Sequence, residues 1–234
     1  TIAAGENEYK ESVAITRPAE LLITLLKQRL ESKGIVVTGS ARLADNTLQT
    51  ICPTCPSPAS VVVSRIESPP LSVIAAKTMK PSQNMYTETL LWTLGEQIGR
   101  KITPNGDSST LGLAVVRAFL KDIGIVPDSV VQYDGSGLSR HDLITPSAVT
   151  SLYTYMAKQS RFSQAWRDSL TIGGVDGTLR NRFKGTAASG NIRGKTGTID
   201  QVSALSGYLT TTGGEQIVAA LAQARKADDK HCEP

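Results

Sequence analysis

Ser82-Gln83-Asn84 sets a hydroxyl and a carboxamide two residues apart, and Lys195-Thr196-Gly197 sets an ammonium and a hydroxyl beside a residue with no side chain. The first group lies on a short loop between two helical segments, where helix capping is the favoured reading for it alone. The second can bind a carboxylate, and its glycine lets a substrate backbone come close. On an exposed edge strand, Lys-Thr-Gly also offers unpaired N–H and C=O groups to an extended peptide. Each motif alone is a weak signal, because Ser and Asn are ordinary helix caps and a triplet recurs by chance. Gly194-Lys195-Thr196 also suggests a phosphate loop, which requires a glycine where Ser189 stands and a helix after the lysine. The available glycine is Gly190 and the following segment reads as strand, so nucleotide binding is the third hypothesis; a thermal-shift titration with Mg-ATP tests it.

The elements that must position these groups are readable from periodicity. Residues 18–31 place Leu22, Leu25, Leu26 and Leu30 on one stripe behind Pro18, which predicts an amphipathic helix stopped by Gly34. Ile35 to Gly39 reads as a short strand. Residues 44–58, polar and proline-rich, read as a surface loop. Helical spacing recurs over 71–76 and 85–98, broken at Pro81, and again over 110–121, 146–158 behind Thr145 as cap, and 162–170. Residues 130–133 read as a strand entering the turn Asp134-Gly135-Ser136-Gly137. Three strands follow, at 191–197, 202–210 and 216–222, the last two joined by a turn at Thr211-Thr212-Gly213-Gly214. A helix-rich middle leading into an antiparallel meander is an α+β fold. With no internal repeat and no linker, residues 1–234 read as a single domain.

Composition excludes several classes. The 234 residues carry 25 Lys+Arg against 21 Asp+Glu, a net charge of +4 with pI near 9.0, and 40% are apolar, which is ordinary for a globular protein. A chain of this size buries roughly 70–75% of its unfolded surface. Apolar runs such as Val61–Val63 and Ile217–Ala222 fall far short of the ~20 residues that cross a bilayer, so no transmembrane helix is expected. The sequence opens at Thr1 without a signal-like segment, which reads as a processed form or a piece of something longer. Three cysteines, Cys52, Cys55 and Cys232, are too few for a disulfide framework and lack the second ligand pair of a zinc site; no metal is expected, and a small loop disulfide or free thiols is favoured.

The order of the motifs changes their weight. Ser-x-Asn followed by Lys-Thr-Gly on a C-terminal strand, together with Ser-x-x-Lys, is the motif set of penicillin-recognising serine enzymes. The chain resembles the C-terminal portion of a class C penicillin-binding protein, a D-alanyl-D-alanine carboxypeptidase/endopeptidase. The resemblance runs over roughly residues 15–225 and includes Lys80 to Glu88, Asp134-Gly135-Ser136-Gly137-Leu138-Ser139-Arg140-His141, Gly174 to Leu179, and Lys195 to Thr198 running into Ser206-Gly207-Tyr208. It implies a helical cluster packed on an antiparallel sheet, part of a transpeptidase/β-lactamase-like domain. It also implies acyl transfer through a serine ester, outside the cytoplasmic membrane, in the periplasm or cell envelope. By that resemblance Ser82 relays a proton to the leaving amine and Asn84 holds the acyl-side amide. Lys195 and Thr196 bind the C-terminal carboxylate of a D-Ala-D-Ala stem peptide, Gly197 admits its backbone, and the Thr198 N–H is an oxyanion-hole donor. Peptidoglycan stem peptides and β-lactams are the implied partners, with no metal or organic cofactor.

The departure from the pattern is the nucleophile. No serine here is followed three positions later by lysine. The nearest miss is Thr24-Leu25-Leu26-Lys27, inside the leucine stripe. The expectation is therefore a C-terminal piece whose missing N-terminal part carries the serine and its base, inactive alone. The alternative is a non-catalytic module that binds wall peptides or a partner. His141 and His231 sit in no triad-like context, His141 reads as bracing the loop after Ser139, and Gly106-Asp107-Ser108-Ser109 reads as a surface turn. Arg180, Arg182, Lys184, Arg193 and Lys195 form a basic run that can help to capture anionic stem peptides. Phe183 alone interleaves with it and only 5% of the chain is aromatic, so nucleic acid is not expected. Trp92 and Trp166 fall within helical patterns and read as core.

Overall fold

The computed structural model describes residues 14–43 and 65–224. The three cysteines, His231 and the proline-rich loop expected over 44–58 lie outside the described residues. The chain divides into two compact units, residues 1–66 and 67–234.

The first unit is built on α1 (Pro18–Ser32), which starts with proline in its first turn. It ends as the leucine stripe predicts, at a glycine-containing cap. Gly34, at φ +81°, donates to Glu31 O, and Ile35 donates to Leu30 O, which satisfies the last carbonyls of the helix. The strand expected over Ile35–Gly39 does not form. The segment has no pairing strand among the described residues; instead Lys27 Nζ reaches from the helix to Gly39 O at 3.0 Å. Thr24 is exposed and donates its hydroxyl to Glu20 O, an ordinary helix-surface bond.

The second unit holds α2 (Leu71–Met79), α3 (Asn84–Leu94) with a π turn (Gly95–Gly99), α4 (Arg100–Ile102) and α5 (Ser108–Asp122). A two-stranded ladder, β1 (Val130–Val131) and β2 (Leu143–Ile144), precedes α6 (Pro146–Lys158) and α7 (Ser163–Ser169). A four-stranded antiparallel sheet follows in the order β3 (Thr171–Ile172), β4 (Arg193–Ile199), β5 (Val202–Thr210), β6 (Gln216–Ala224). Side chains set two helix starts: Asp107 accepts from Thr110 N, which accounts for Gly106-Asp107-Ser108-Ser109 as a helix cap, and Thr145 accepts from Ala148 N. The strand expected to reach Tyr133 stops at Val131, because Gln132 turns its carboxamide to Asp134 O and Tyr133 N donates to Asp142 Oδ1. His141 N donates to Ser139 Oγ, and its ring leans on Tyr133 at 5.5 Å.

Helices α6 and α7 cover the sheet around Tyr153, Leu170 and Tyr208, with Met79, Val149, Trp166 and Val218 packed on them. The polar atoms of this core are paired in a chain: Trp166 Nε1 donates to Tyr208 Oη (3.0 Å), which donates to Tyr153 O (2.6 Å), while Ser206 Oγ donates to Tyr153 Oη (3.1 Å). Trp166 is thus a core residue, but Trp92 is not: it is 55% exposed on α3, since helical spacing says which residues share a face and not which face is covered. Burial pushes the Tyr153 phenol up to about 12. The folded state therefore keeps this proton over a range where the unfolded chain, with a phenol near 10, has lost it. Stability is full below pH 10 and falls by about 1.4 kcal/mol per unit as pH rises from there toward 12. Denaturant titrations across that range should show the loss in the wild type, and Tyr153→Phe should flatten it.

Candidate active site

The loop between α2 and α3 carries the Ser-x-Asn motif, and its conformation is unusual. Ser82 has φ +60°, a left-handed conformation that costs a non-glycine residue about 1 kcal/mol or more. Two backbone bonds close the turn, from Ser82 N to Met79 O (3.3 Å) and from Gln83 N to Thr78 O (2.8 Å). Helix capping does not explain this motif. The N-cap of α3 is Gln83, with no side-chain cap bond, and Asn84 is already the first helical residue.

Instead the Ser82 hydroxyl meets the other motif. Lys195 Nζ donates to Ser82 Oγ at 2.8 Å, a bond between residues 113 apart in the chain. Lys195 also donates to Thr196 O, and burial lowers its pKa from the usual lysine value. The strand supplying it is open where the motif lies. β4 pairs with β3 only at Arg193 and Gly194, so from Lys195 to Ile199 its sole ladder among the described residues is with β5. Thr196 is half-buried, whereas Gly197 and Thr198 are exposed along that open stretch. Asn84 is exposed at the start of α3, and its carboxamide makes no hydrogen bond among the described residues. Of the six motif residues, then, Ser82 and Lys195 are in direct contact, Thr196 to Thr198 continue along the same edge, and Asn84 stands two residues beyond Ser82.

A third segment joins the two motifs. Residues 173–178 leave β3 and turn back toward the Ser82 loop. Thr178 N donates to Lys80 O (3.1 Å), and Thr196 Oγ1 donates to Thr178 Oγ1 (2.8 Å). Lys80 Nζ is shared between Asp176 Oδ2 (2.5 Å) and Leu170 O (3.1 Å), while Asp176 Oδ1 accepts from Ile172 N (2.7 Å). The approach is so close that a Cβ on Gly177, itself at φ +52°, would lie 2.5 Å from Lys80 O and 2.4 Å from Thr171 Cγ2. Neither Lys80 nor Asp176 stands out by type or spacing. The available signal was that each lies in a segment carrying the resemblance, Lys80 to Glu88 and Gly174 to Leu179.

The Asp134-Gly135-Ser136-Gly137 loop is stitched to α3, the helix that begins with Asn84. Glu88 Oε1 accepts from Gly135 N (2.9 Å) and Ser136 N (3.0 Å). Asp134 accepts from Gly137 N (2.5 Å), Ser139 N (2.8 Å) and Ser136 Oγ (3.2 Å). Burial opposes the charge of Asp134, but those donors hold its carboxyl below the usual range.

The description that fits this chain is the D-Ala-D-Ala carboxypeptidase 3 (S13) family, matched over residues 1–232. The chain belongs to that family. It is similar to the D-alanyl-D-alanine carboxypeptidase of an Actinomadura species, 35% identical over 206 residues covering 86% of this chain and 36% of that protein. Among solved structures it is similar to penicillin-binding protein 4 of Haemophilus influenzae in complex with a β-lactam. The TM-score is 0.72 at 25% identity, covering 90% of this chain and 45% of that one. An extended-spectrum β-lactamase, TLA-1, matches with TM-score 0.50 at 16% identity over 88% of this chain and 75% of its own, a likeness of fold alone. The α+β architecture is accordingly that of the penicillin-recognising serine hydrolases. This S13 chain spans little more than a third of the Actinomadura relative. No helix among the described residues is long and apolar enough to cross a membrane.

Proposed function

We propose that this chain is the C-terminal portion of the transpeptidase-like domain of a serine D-Ala-D-Ala carboxypeptidase/endopeptidase, and that both compact units belong to that one domain. The observation that carries the reading is the 2.8 Å bond between Lys195 Nζ and Ser82 Oγ, which joins two motifs of one catalytic set beside an open strand edge. The nucleophilic serine and its lysine base come from a part of the same protein beyond this chain. The substrate is an extended peptidoglycan stem peptide lying along β4 from Lys195 to Thr198. Its C-terminal carboxylate rests on Lys195 and Thr196, the missing side chain of Gly197 gives its backbone room, and Asn84 holds the amide on the acyl side. The serine hydroxyl gives its proton to the lysine base as its oxygen bonds to the scissile carbonyl carbon, and the Thr198 N–H donates to the oxyanion that forms. The C–N bond then breaks, and Ser82 passes a proton to the departing amine of D-Ala. Water hydrolyses the ester in a second step and frees the serine. A β-lactam follows the same first step. Peptidoglycan lies outside the cytoplasmic membrane, so the protein works in the periplasm or cell envelope.

The test is incubation of the full-length gene product containing this chain with a fluorescent penicillin. A covalent label on the full-length protein is expected, together with D-Ala release from a stem pentapeptide, and no label on residues 1–234 alone. An unlabelled full-length protein would overturn the reading.

A further inference from the structure

We propose that Lys80, Asp176 and Thr178 form a positioning clamp that holds Ser82 in its left-handed turn against Lys195. The inference rests on the functional reading above and assigns three residues to the same site. The Ser82 turn has only local backbone bonds of its own, and its conformation is one that a serine leaves readily when nothing holds it. Residues 171–178 hold it from outside. They reach the turn at two atoms of Lys80, through Thr178 N to the carbonyl and Asp176 to the ammonium. They reach the lysine strand through the β3–β4 ladder at Arg193 and Gly194, through Thr171 Oγ1 donating to Gly194 O (2.7 Å), and at Thr178 Oγ1, which accepts from Thr196 Oγ1. One segment thus bonds to both the serine turn and the lysine strand. Asp176 is held by its second oxygen, which accepts from Ile172 N, and Gly177 packs directly on Lys80 O. The side chains of Lys80 and Asp176 are 26% and 34% exposed, so the pair is partly shielded from water, unlike a surface pair that holds nothing.

Asp176→Asn in the full-length gene product keeps the shape and removes the charge. Acylation by penicillin should slow about 10- to 30-fold in its limiting rate constant, with the half-saturating penicillin concentration changed less than about threefold, because Lys195 and Thr196 remain in place to bind the carboxylate. The alkaline limb of the acylation profile should also move to higher pH, since a relaxed turn admits water to Lys195 and removes the burial that lowers its pKa. If Asp176→Asn does not fold, Thr178→Val and Thr178→Ser, which leave the ion pair untouched, decide the matter: valine should slow acylation about 3- to 10-fold and serine should restore it. A wild-type rate in Asp176→Asn, or in Thr178→Val, overturns the clamp alone. So does a fall in rate with an unmoved alkaline limb, the mark of a merely structural role. A wild-type protein that takes no label overturns the functional reading and the clamp that serves it.

Discussion

Replacing Lys195 with methionine or alanine in the full-length gene product should slow penicillin acylation by about 10²-fold or more while the protein stays folded. The ammonium donates to Ser82 Oγ and to Thr196 O at the start of the open strand edge. Hydrogen bonds from a charged donor contribute about 1.5–3 kcal/mol each, and each 1.4 kcal/mol is tenfold in rate, so losing the Ser82 bond together with the proposed bond to a substrate carboxylate gives the stated size. Lys195→Met is the cleaner variant, because it keeps most of the apolar stem and leaves the packing of β4 on β5 intact. The pH dependence has a definite sign. A lysine whose pKa is lowered by burial loses its proton at lower pH than a free one, so wild-type acylation should decline on the alkaline side before the ordinary lysine value is reached. Lys195→Met should lack that decline. Rates measured by stopped flow from neutral to alkaline pH check both points, and a methionine variant that turns over like the wild type would remove Lys195 from the mechanism.

What the sequence disclosed about this site, and what it hid, follows from the range of each interaction. Both motifs are local strings and were legible, as was the helix over Pro146–Lys158, whose threonine cap and proline at the first turn act within four residues. Strand β5 was read with its observed bounds because its strand-like run and the Thr211–Gly214 turn that ends it are also local. The bond between Ser82 and Lys195 is not local, and no periodicity encodes it. The Lys80–Asp176 pair spans 96 residues and uses two residue types found on any surface. The left-handed turn at Ser82 was hidden for a related reason, since that conformation favours glycine or asparagine and a serine there is held by its surroundings rather than by preference. Ile35–Gly39 shows the opposite error. A valine-rich run between glycines has strand propensity, but a strand needs a neighbour, and the bonds this segment makes are to Leu30 O and the Lys27 side chain, both of α1.

The largest effect on stability is expected at Gly112 in α5, a position where helix propensity and packing predict opposite signs. In an isolated helix, Gly→Ala stabilises by about 1 kcal/mol. Here a Cβ would stand 2.1 Å from Leu91 O and 2.9 Å from Leu91 C, inside the backbone of α3. The fit is mutual, because a Cβ on Gly95 would stand 1.9 Å from Ser108 O. A flexible side chain could rotate away from such contact; a helix backbone moves only as a body. Overpacking of this kind costs about 3 kcal/mol, at the upper end of the usual range, and outweighs the propensity gain. The net loss of about 2 kcal/mol corresponds, in a unit of this size, to a fall in Tm of about 4–8 °C for Gly112→Ala. Ala118→Gly, on the exposed side of the same helix, serves as the control, since propensity alone predicts a loss of about 1 kcal/mol there. Should Gly112→Ala prove milder than Ala118→Gly, the close approach of α3 and α5 is wrong. The consequence reaches the site as well. α3 starts at Asn84, two residues after Ser82, and carries Glu88, which holds the loop at Gly135 and Ser136. A helix pushed outward by the added methyl takes the Ser82 turn with it, so penicillin acylation should fall in Gly112→Ala even below its melting temperature and stay at wild-type level in Ala118→Gly.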